Sequence, residues 1–398
     1  MMMKAKTRLR ILQIGKFYAP YAGGIETHLQ DLCGELRRIA DVRVIVSNTG
    51  RQTVTEEVSG IPVQRVGLLG YFAGAPVSPG MVSAIRRSPA DIIQIHWPNP
   101  GAVLAYLASG HKGRLLMTYH SDVVKRKISS AVFDPILNAT MARCSAVIAT
   151  SPDYVRTSPV LRKFPHLCHV IPYGIATDRL GAPNEAAVSA LRQKYGPRMV
   201  LAVGRLVYYK GFEFLIQAMR SVNGRLVIVG DGPLRERLRS LSLSLGVADR
   251  VELVGEKCGD DLVPYFHATD VFALPSVARS EAFGIVQLEA MACGKPVVNT
   301  KIDSGVPFVS LHGITGLTVP PADAESLAAG INKLLNDDNL RFRYGKAAKQ
   351  RVMDEFRLEV MMQRTCELYR QILTPSIMGE GKPSHSDEKY SILSNISA

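Results

Sequence analysis

The feature that most constrains this chain is a set of short, almost uninterrupted apolar runs separated by glycine-rich loops and longer amphipathic spans. Residues 10–14, 42–47, 91–95, 115–119 and 146–150 form a first series. Residues 199–203, 225–229, 251–254, 270–274 and 296–299 form a second. Runs so rich in Val, Ile and Leu lack the alternation of a strand with one wet face. They fit strands of parallel sheets that helices cover on both sides. The intervening spans, such as 26–39, carry helical spacing, as do 325–335, 341–355 and 357–373. Between the two series lie Pro172-Tyr173-Gly174 and Gly181-Ala182-Pro183, which are linker signals. The expected fold is therefore α/β, with two doubly wound Rossmann-like domains, 1–175 and 176–356, facing each other across a cleft. From Thr374 the chain turns polar and serine-rich, so 374–398 reads as a flexible tail.

Length and composition agree. A chain of 398 residues suits two domains, and 46% apolar with 21% charged residues excludes a disordered or fibrous protein. Apolar runs are strand-sized, well short of the ~20 residues that span a bilayer, and no N-terminal leader pattern appears. The six cysteines, at 33, 144, 168, 258, 293 and 366, have no metal spacing and point to reduced thiols in the cytosol.

The net charge of +13 is lopsided. Residues 1–180 hold 22 Lys and Arg against 11 Asp and Glu, whereas 181–398 hold 26 against 24. The excess clusters at Lys4-Lys6-Arg8-Arg10, Arg86-Arg87, Lys125-Arg126-Lys127 and Arg162-Lys163. The third cluster adjoins residues 128–141, where Val132, Phe133, Ile136 and Leu137 can form an apolar helix face. Basic clusters beside such a face suit an anionic membrane surface or a pyrophosphate-bearing substrate; solvated lysines with no partner are the plain alternative. Nucleic-acid binding is disfavoured, because the basic residues lack interleaved aromatics and no nucleic-acid motif occurs.

In open α/β sheets, ligands bind beyond the carboxyl ends of the strands, and polar residues gather there. Gly15 and then Ala22-Gly23-Gly24-Ile25-Glu26 follow the first strand and open a helix, where backbone amides can meet a phosphate or sugar. The spacing is not the dinucleotide fingerprint, which disfavours an oxidoreductase, and a Gly-Gly pair is often only a turn. His120-Ser121-Asp122 follows another strand, and His96-Trp97-Pro98-Asn99-Pro100 ends a third with the lone tryptophan. A histidine there can present a polar ring edge to substrate or serve structure alone, and Trp97 can wall a sugar site or simply pack. In the second series, Gly204-Arg205 and Lys210-Gly211 offer a donor fork and a point charge suited to a diphosphate. Val229 to Pro233 and Val254 to Lys257 end strands where a base could be held. Glu281 and Glu289 bracket Phe283-Gly284-Ile285, with Gly284 expected in the first helical turn and its free amides aimed at an anion. Two exposed acids on an amphipathic helix would be the ordinary reading of that pair taken alone.

Taken together and in order, these residues resemble the retaining glycosyltransferases of GT-B fold, specifically family 4, from Ile11 to about Leu373. The resemblance implies sugar transfer from a nucleotide-sugar with the anomeric configuration retained. It implies that Arg205 and Lys210 hold the donor diphosphate, Glu281 the sugar hydroxyls and Glu289 the ribose. Phe283, Gly284 and Ile285 would supply amides, and Val254 and Lys257 would lie near the base. His120 would sit near the sugar C6 hydroxyl and join Glu281, Arg205 and Lys210 as the catalytic set. Gly23, Gly24, Trp97 and Asp122 would face the acceptor, with Gly24 also near the donor phosphates. The family's last helix, here 357–373, crosses back to the first domain. Asn299-Thr300 and Ser304 to Ser310 resemble the branch of bacterial mannosyl- and rhamnosyltransferases of surface-polysaccharide assembly. That branch includes α-mannosyltransferases acting from GDP-mannose on cellobiosyl-diphosphopolyprenol, although family 4 often has Gly where Ser304 stands. The expectations are a GDP-mannose donor, a polyprenyl-diphosphate-linked oligosaccharide acceptor and peripheral contact with the inner face of the cell membrane. No cofactor is expected, nor any essential divalent metal, since Asp-x-Asp is absent. A UDP-sugar or rhamnosyl transferase is the nearest alternative. A nucleotide-sugar epimerase or a phosphorylase would share the architecture and is told apart by product forming without a lipid-linked acceptor.

Overall fold

A computed structural model describes residues 8–21, 23–72, 74–122 and 135–374. Lys4, Lys6, Ala22, Lys125-Arg126-Lys127, Val132, Phe133 and the stretch after Thr374 lie outside the described residues. The chain forms two compact units. The first takes the residues up to Thr150, Ser158–Pro172 and the chain from Glu359; the second takes Ser151–Thr157 and Tyr173–Leu358. Among the described residues, no helix is long and apolar enough to cross a membrane.

The first unit holds β1 (Arg10–Ile14), β2 (Asp41–Ser47), β3 (Val54–Val58), β4 (Ile61–Val66), β5 (Gly70–Phe72), β6 (Ala75–Val77), β7 (Ile92–Trp97), β8 (Arg114–Tyr119), β9 (Ala146–Ala149) and β10 (Cys168–Val170). Its main sheet runs β10-β9-β8-β7-β1-β2-β4-β3, with β5 and β6 a separate hairpin. Every pairing in that sheet is parallel except β3 with β4. β3 and β4 escape the search for continuous apolar runs because β3 is an exposed edge strand bearing Glu56 and Glu57, and β4 alternates.

The second unit holds β11 (Met199–Val203), β12 (Arg225–Val229), β13 (Val251–Gly255), β14 (Val271–Leu274), β15 (Val297–Thr300) and β16 (Gly316–Val319), in the order β13-β12-β11-β14-β15-β16. This is the doubly wound order, with its topological switch between β11 and β14. The first unit has the equivalent switch between β1 and β7. Alternate residues of β11 serve opposite layers: Met199, Leu201 and Val203 pack with Phe272, Leu274 and Phe356, while Val200 and Ala202 pack with Leu215, Ile228 and Val271. Burial on both faces is why the strand reads as one unbroken apolar run.

The last three helices are Ala324–Asn336, Asp338–Glu355 and Leu358–Leu373. Asp323 and Asp337 cap the first two by accepting from the Ser326 and Leu340 amides. Leu358–Leu373 belongs to the first unit from Glu359 on, where Tyr369 is fully buried against Gln13 and Gln94.

Candidate active site

In the second unit the expected residues gather at the switch point. Gly204 directly follows β11 and Gly230 directly follows β12. A Cβ on Gly230, whose φ is +136°, would stand 2.1 Å from the Gly204 carbonyl oxygen. Only glycine lets these two strand ends approach so closely. The turn Tyr208–Lys210 follows, with Gly211 left-handed behind it, and lays the Lys210 alkyl chain over Gly204. Lys210 Nζ stands 2.5 Å from Glu281 Oε2, with 12% and 10% of the two side chains exposed. Ser276, just past β14, donates to the same carboxylate oxygen at 3.3 Å. Burial alone would push the Lys210 ammonium downward, but the Glu281 charge and hydrogen bond more than offset it, and its pKa is raised. Lys210 is therefore a fixed cation, with the Tyr209 ring 6.0 Å away.

Gly284 is not in the first helical turn, as the spacing led one to expect. It is the left-handed cap, φ +74°, of the helix Ile285–Ala292, and a Cβ there would meet Leu274 Cδ2 at 2.6 Å. The helix's first amides are presented beyond β14. The ring of Phe283 is core, edge-on to Tyr173 and Phe356, so its backbone alone can serve a ligand. Glu289 lies one turn further on, 3.7 Å from the Arg179 guanidinium, a neighbour that the sequence reading missed. Arg205 is exposed. Val254 lies in β13 and Lys257 just after it, and β13 is two strands from β11, about 10 Å across the sheet.

In the first unit Gly23 caps and Gly24 begins the helix Gly24–Leu36. A Cβ on Gly23 would stand 2.3 Å from Glu26 Oε2. Burial raises the Glu26 pKa, with Lys16 partly opposing. His120 is buried, and its Nε2 lies 2.9 Å from His96 Nδ1. His96 Nε2 lies 2.8 Å from Gln13 Oε1. The His28 ring stands 5.3 Å from that of His120 and 5.9 Å from that of His96. Burial lowers all three pKa values, that of His28 to about 4, leaving neutral imidazoles. One ligand atom from each lies within 4.8 Å of the others, as a metal would require. The hydrogen bond between His96 and His120 nevertheless occupies both facing nitrogens. His28 and Gln13 were missed as site residues; the one signal was a polar side chain on the buried face of an otherwise apolar element.

Two residues expected to face the acceptor have partners within the first unit. Trp97 is 3% exposed and stacks on Tyr119, with ring centroids 6.2 Å apart. Asp122 accepts from the Tyr119 and Ser158 hydroxyls at 2.8 and 2.7 Å, which makes it a clamp between β8 and the segment after β9.

Two Rossmann-like α/β domains, with an ion pair, paired glycines and a helix N-terminus beyond the strand ends, define the GT-B class of glycosyltransferases. Residues 22–179 match the model of Glycosyltransferase Family 4 and residues 185–351 that of Glycosyl transferases group 1. A D-rhamnosyltransferase of Pseudomonas aeruginosa is 30% identical over 87% of this chain and 92% of its own. A GDP-mannose-dependent α-(1-6)-phosphatidylinositol monomannoside mannosyltransferase of Mycobacterium tuberculosis is 35% identical over 91% of this chain and 98% of its own. Among solved structures, sucrose-phosphate synthase from Thermosynechococcus elongatus is 26% identical, covers 92% of this chain and 99% of its own, and superposes with a TM-score of 0.77. The chain belongs to glycosyltransferase family 4.

Proposed function

We propose that this enzyme moves α-mannose from GDP-mannose, with retention, to a polyprenyl-diphosphate-linked oligosaccharide at the inner face of the cell membrane, in exopolysaccharide or O-antigen assembly. The observation that carries the reading is the buried Lys210–Glu281 pair beside the N-terminus of Ile285–Ala292. It sets a fixed cation and a hydroxyl-binding carboxylate together at the switch point. Support for the donor comes from the name of the mycobacterial relative, which is GDP-mannose-dependent. Support for polysaccharide assembly comes from an O-antigen chain mannosyltransferase of Escherichia coli, 29% identical over 92% of this chain.

As the bond between sugar C1 and the diphosphate oxygen breaks, negative charge grows on the leaving group. Arg205, Lys210 and the helix amides stabilise it. Glu281 holds the sugar hydroxyls, Glu289 the ribose, and His120 the sugar near C6. The acceptor oxygen bonds to C1 on the face the diphosphate leaves, and its proton passes to the departing phosphate oxygen. No protein nucleophile and no divalent metal is needed. Glu281→Gln should slow the reaction without trapping a glycosyl-enzyme, and an adduct in the intact mass would overturn the front-face route.

The test is calorimetry of GDP, UDP and ADP in EDTA, with Glu289→Ala alongside. Tight GDP binding that the variant loses supports the reading. A preference for UDP sinks the mannose assignment. A second reading, D-rhamnosyl transfer, follows the Pseudomonas relative; turnover of GDP-D-rhamnose, the 6-deoxy counterpart, ahead of GDP-mannose would establish it.

A further inference from the structure

The buried polar residues of the first unit form one hydrogen-bonded line with a direction. The Tyr369 hydroxyl, on the terminal helix, donates to Gln94 Oε1. Gln94 Nε2 donates to Thr118 Oγ1 at 2.6 Å. Gln13 Nε2 donates to the same Gln94 Oε1 at 3.0 Å and to the Tyr369 oxygen at 3.3 Å. With its amide nitrogen so engaged, Gln13 turns Oε1 toward His96. An amide oxygen only accepts, so His96 Nε2 carries the hydrogen. A neutral imidazole has one N–H, so His96 Nδ1 is a lone pair, and His120 Nε2 must donate to it. Gln13, Gln94, His96, Tyr369 and His120 are all buried.

We propose that Tyr369, Gln94, Gln13 and His96 are positioning residues that lock His120 as its Nε2–H tautomer. His120 then meets any group at Nδ1 as a hydrogen-bond acceptor, so that a sugar hydroxyl donates to it. The proposal deepens the reading of His120 as part of the working site and rests on it. A line of amides serves this purpose where a carboxylate would not. An acid at position 13 would draw a proton onto the imidazole pair and convert His120 Nδ1 into a donor. The other titratable groups that face the line are His28 and Cys33 on the helix Gly24–Leu36 and Cys366 on the terminal helix, all buried. Burial raises both thiols, that of Cys33 far above the ordinary thiol range and that of Cys366 to about 12, so neither supplies a charge near neutral pH.

The test is nitrogen-15 NMR of the full-length protein with labelled histidine, assigned by His96→Asn and His120→Asn. At pH 7 both rings should show the neutral Nε2–H pattern. Gln13→Glu should bring an imidazolium signature to the pair. Tyr369→Phe removes a donor and an acceptor from the line, so it should give mixed tautomers and lower kcat by about tenfold with a smaller change in the donor KM. Wild-type rings carrying Nδ1–H, the reverse polarity, would overturn the proposal. So would stoichiometric metal in the purified protein whose removal by chelator shifts the histidine signals, since the cluster would then be a metal site. A Tyr369→Phe enzyme with altered tautomers and unchanged kcat would overturn the positioning role. The tautomer measurement needs no donor, so a failed transferase assay in the wild type would count against the proposed function alone.

Discussion

Lys210 and Glu281 stand 2.5 Å apart and almost wholly out of water, although they lie 71 positions apart in the chain. Each therefore acts as the other's counter-ion before any substrate arrives. Removing one member leaves a buried charge uncompensated, which typically costs about 3–5 kcal/mol, whereas removing both is often nearly neutral. Glu281→Gln and Lys210→Met should each lower the unfolding free energy by about 3 kcal/mol in urea. The double variant should recover most of that loss yet stay inactive. A double variant that regains both stability and transfer would mean the pair is scaffolding only.

The three buried histidines make the first unit acid-sensitive. His28 has a folded pKa of about 4, against about 6.5 in the unfolded chain. Between those values the unfolded chain binds a proton that the native one refuses. The stabilising contribution is thus complete above pH 6.5 and is lost as pH falls toward 4, amounting to about 3 kcal/mol for this group. Melting temperature should fall over that window, and less steeply in His28→Leu. Parallel pH curves for the two proteins would contradict the buried neutral state.

Lys295 gives the opposite edge of the pH range. It donates to the His267 carbonyl at 2.9 Å, and burial, helped by Arg192, lowers its pKa to about 8. The unfolded lysine keeps its proton to about 10.4, so this group's contribution to stability rises with pH between about 8 and 10.4. Lys295→Met should be more stable than wild type at pH 7, with the gap closing by pH 10. Chemical denaturation at the two pH values measures it, and a pH-independent gap would refute the shifted lysine.

Much of this molecule is legible in its sequence, for a physical reason. Doubly wound sheets bury both faces, so β1, β7, β11 and β12 appear as apolar runs, and polar residues gather in the loops that follow them. Lys210 and Glu281 stand out in that way, and the fold brings the two side chains together. What escaped depends on contacts that sequence distance hides. Edge strand β3 is charged because its outer side meets water. Trp97 belongs to the packing around Tyr119, and nothing in its neighbours distinguishes that from a site aromatic. Gln13 lies in the middle of a buried strand, and its role emerges only when Gln94, His96 and Tyr369, far away along the chain, close around it.

The basic excess of the first 180 residues also needs sorting by what each cation touches. Arg10 pairs with Asp91 at 2.9 Å. Arg86 donates to the Ala108 and Ser109 carbonyls, each at 3.1 Å, at the end of the helix Pro100–Ser109. Arg65 pairs with Glu56 and donates to the Tyr18 and Ala19 carbonyls. These three serve the fold, and replacing them would confound a membrane assay. Arg162 and Lys163, by contrast, are exposed in the turn Leu161–Lys163. Near an anionic surface each basic residue contributes about 1 kcal/mol, decaying over a Debye length of roughly 8 Å at physiological salt. Vesicles rich in anionic lipid should therefore sediment the protein at low salt and release it at high salt. The Arg162→Glu, Lys163→Glu double variant should bind roughly tenfold or more weakly while keeping the wild-type melting temperature. Equal binding to neutral vesicles would exclude an electrostatic attachment. Undiminished binding of the double variant would move the attachment to another face of the protein.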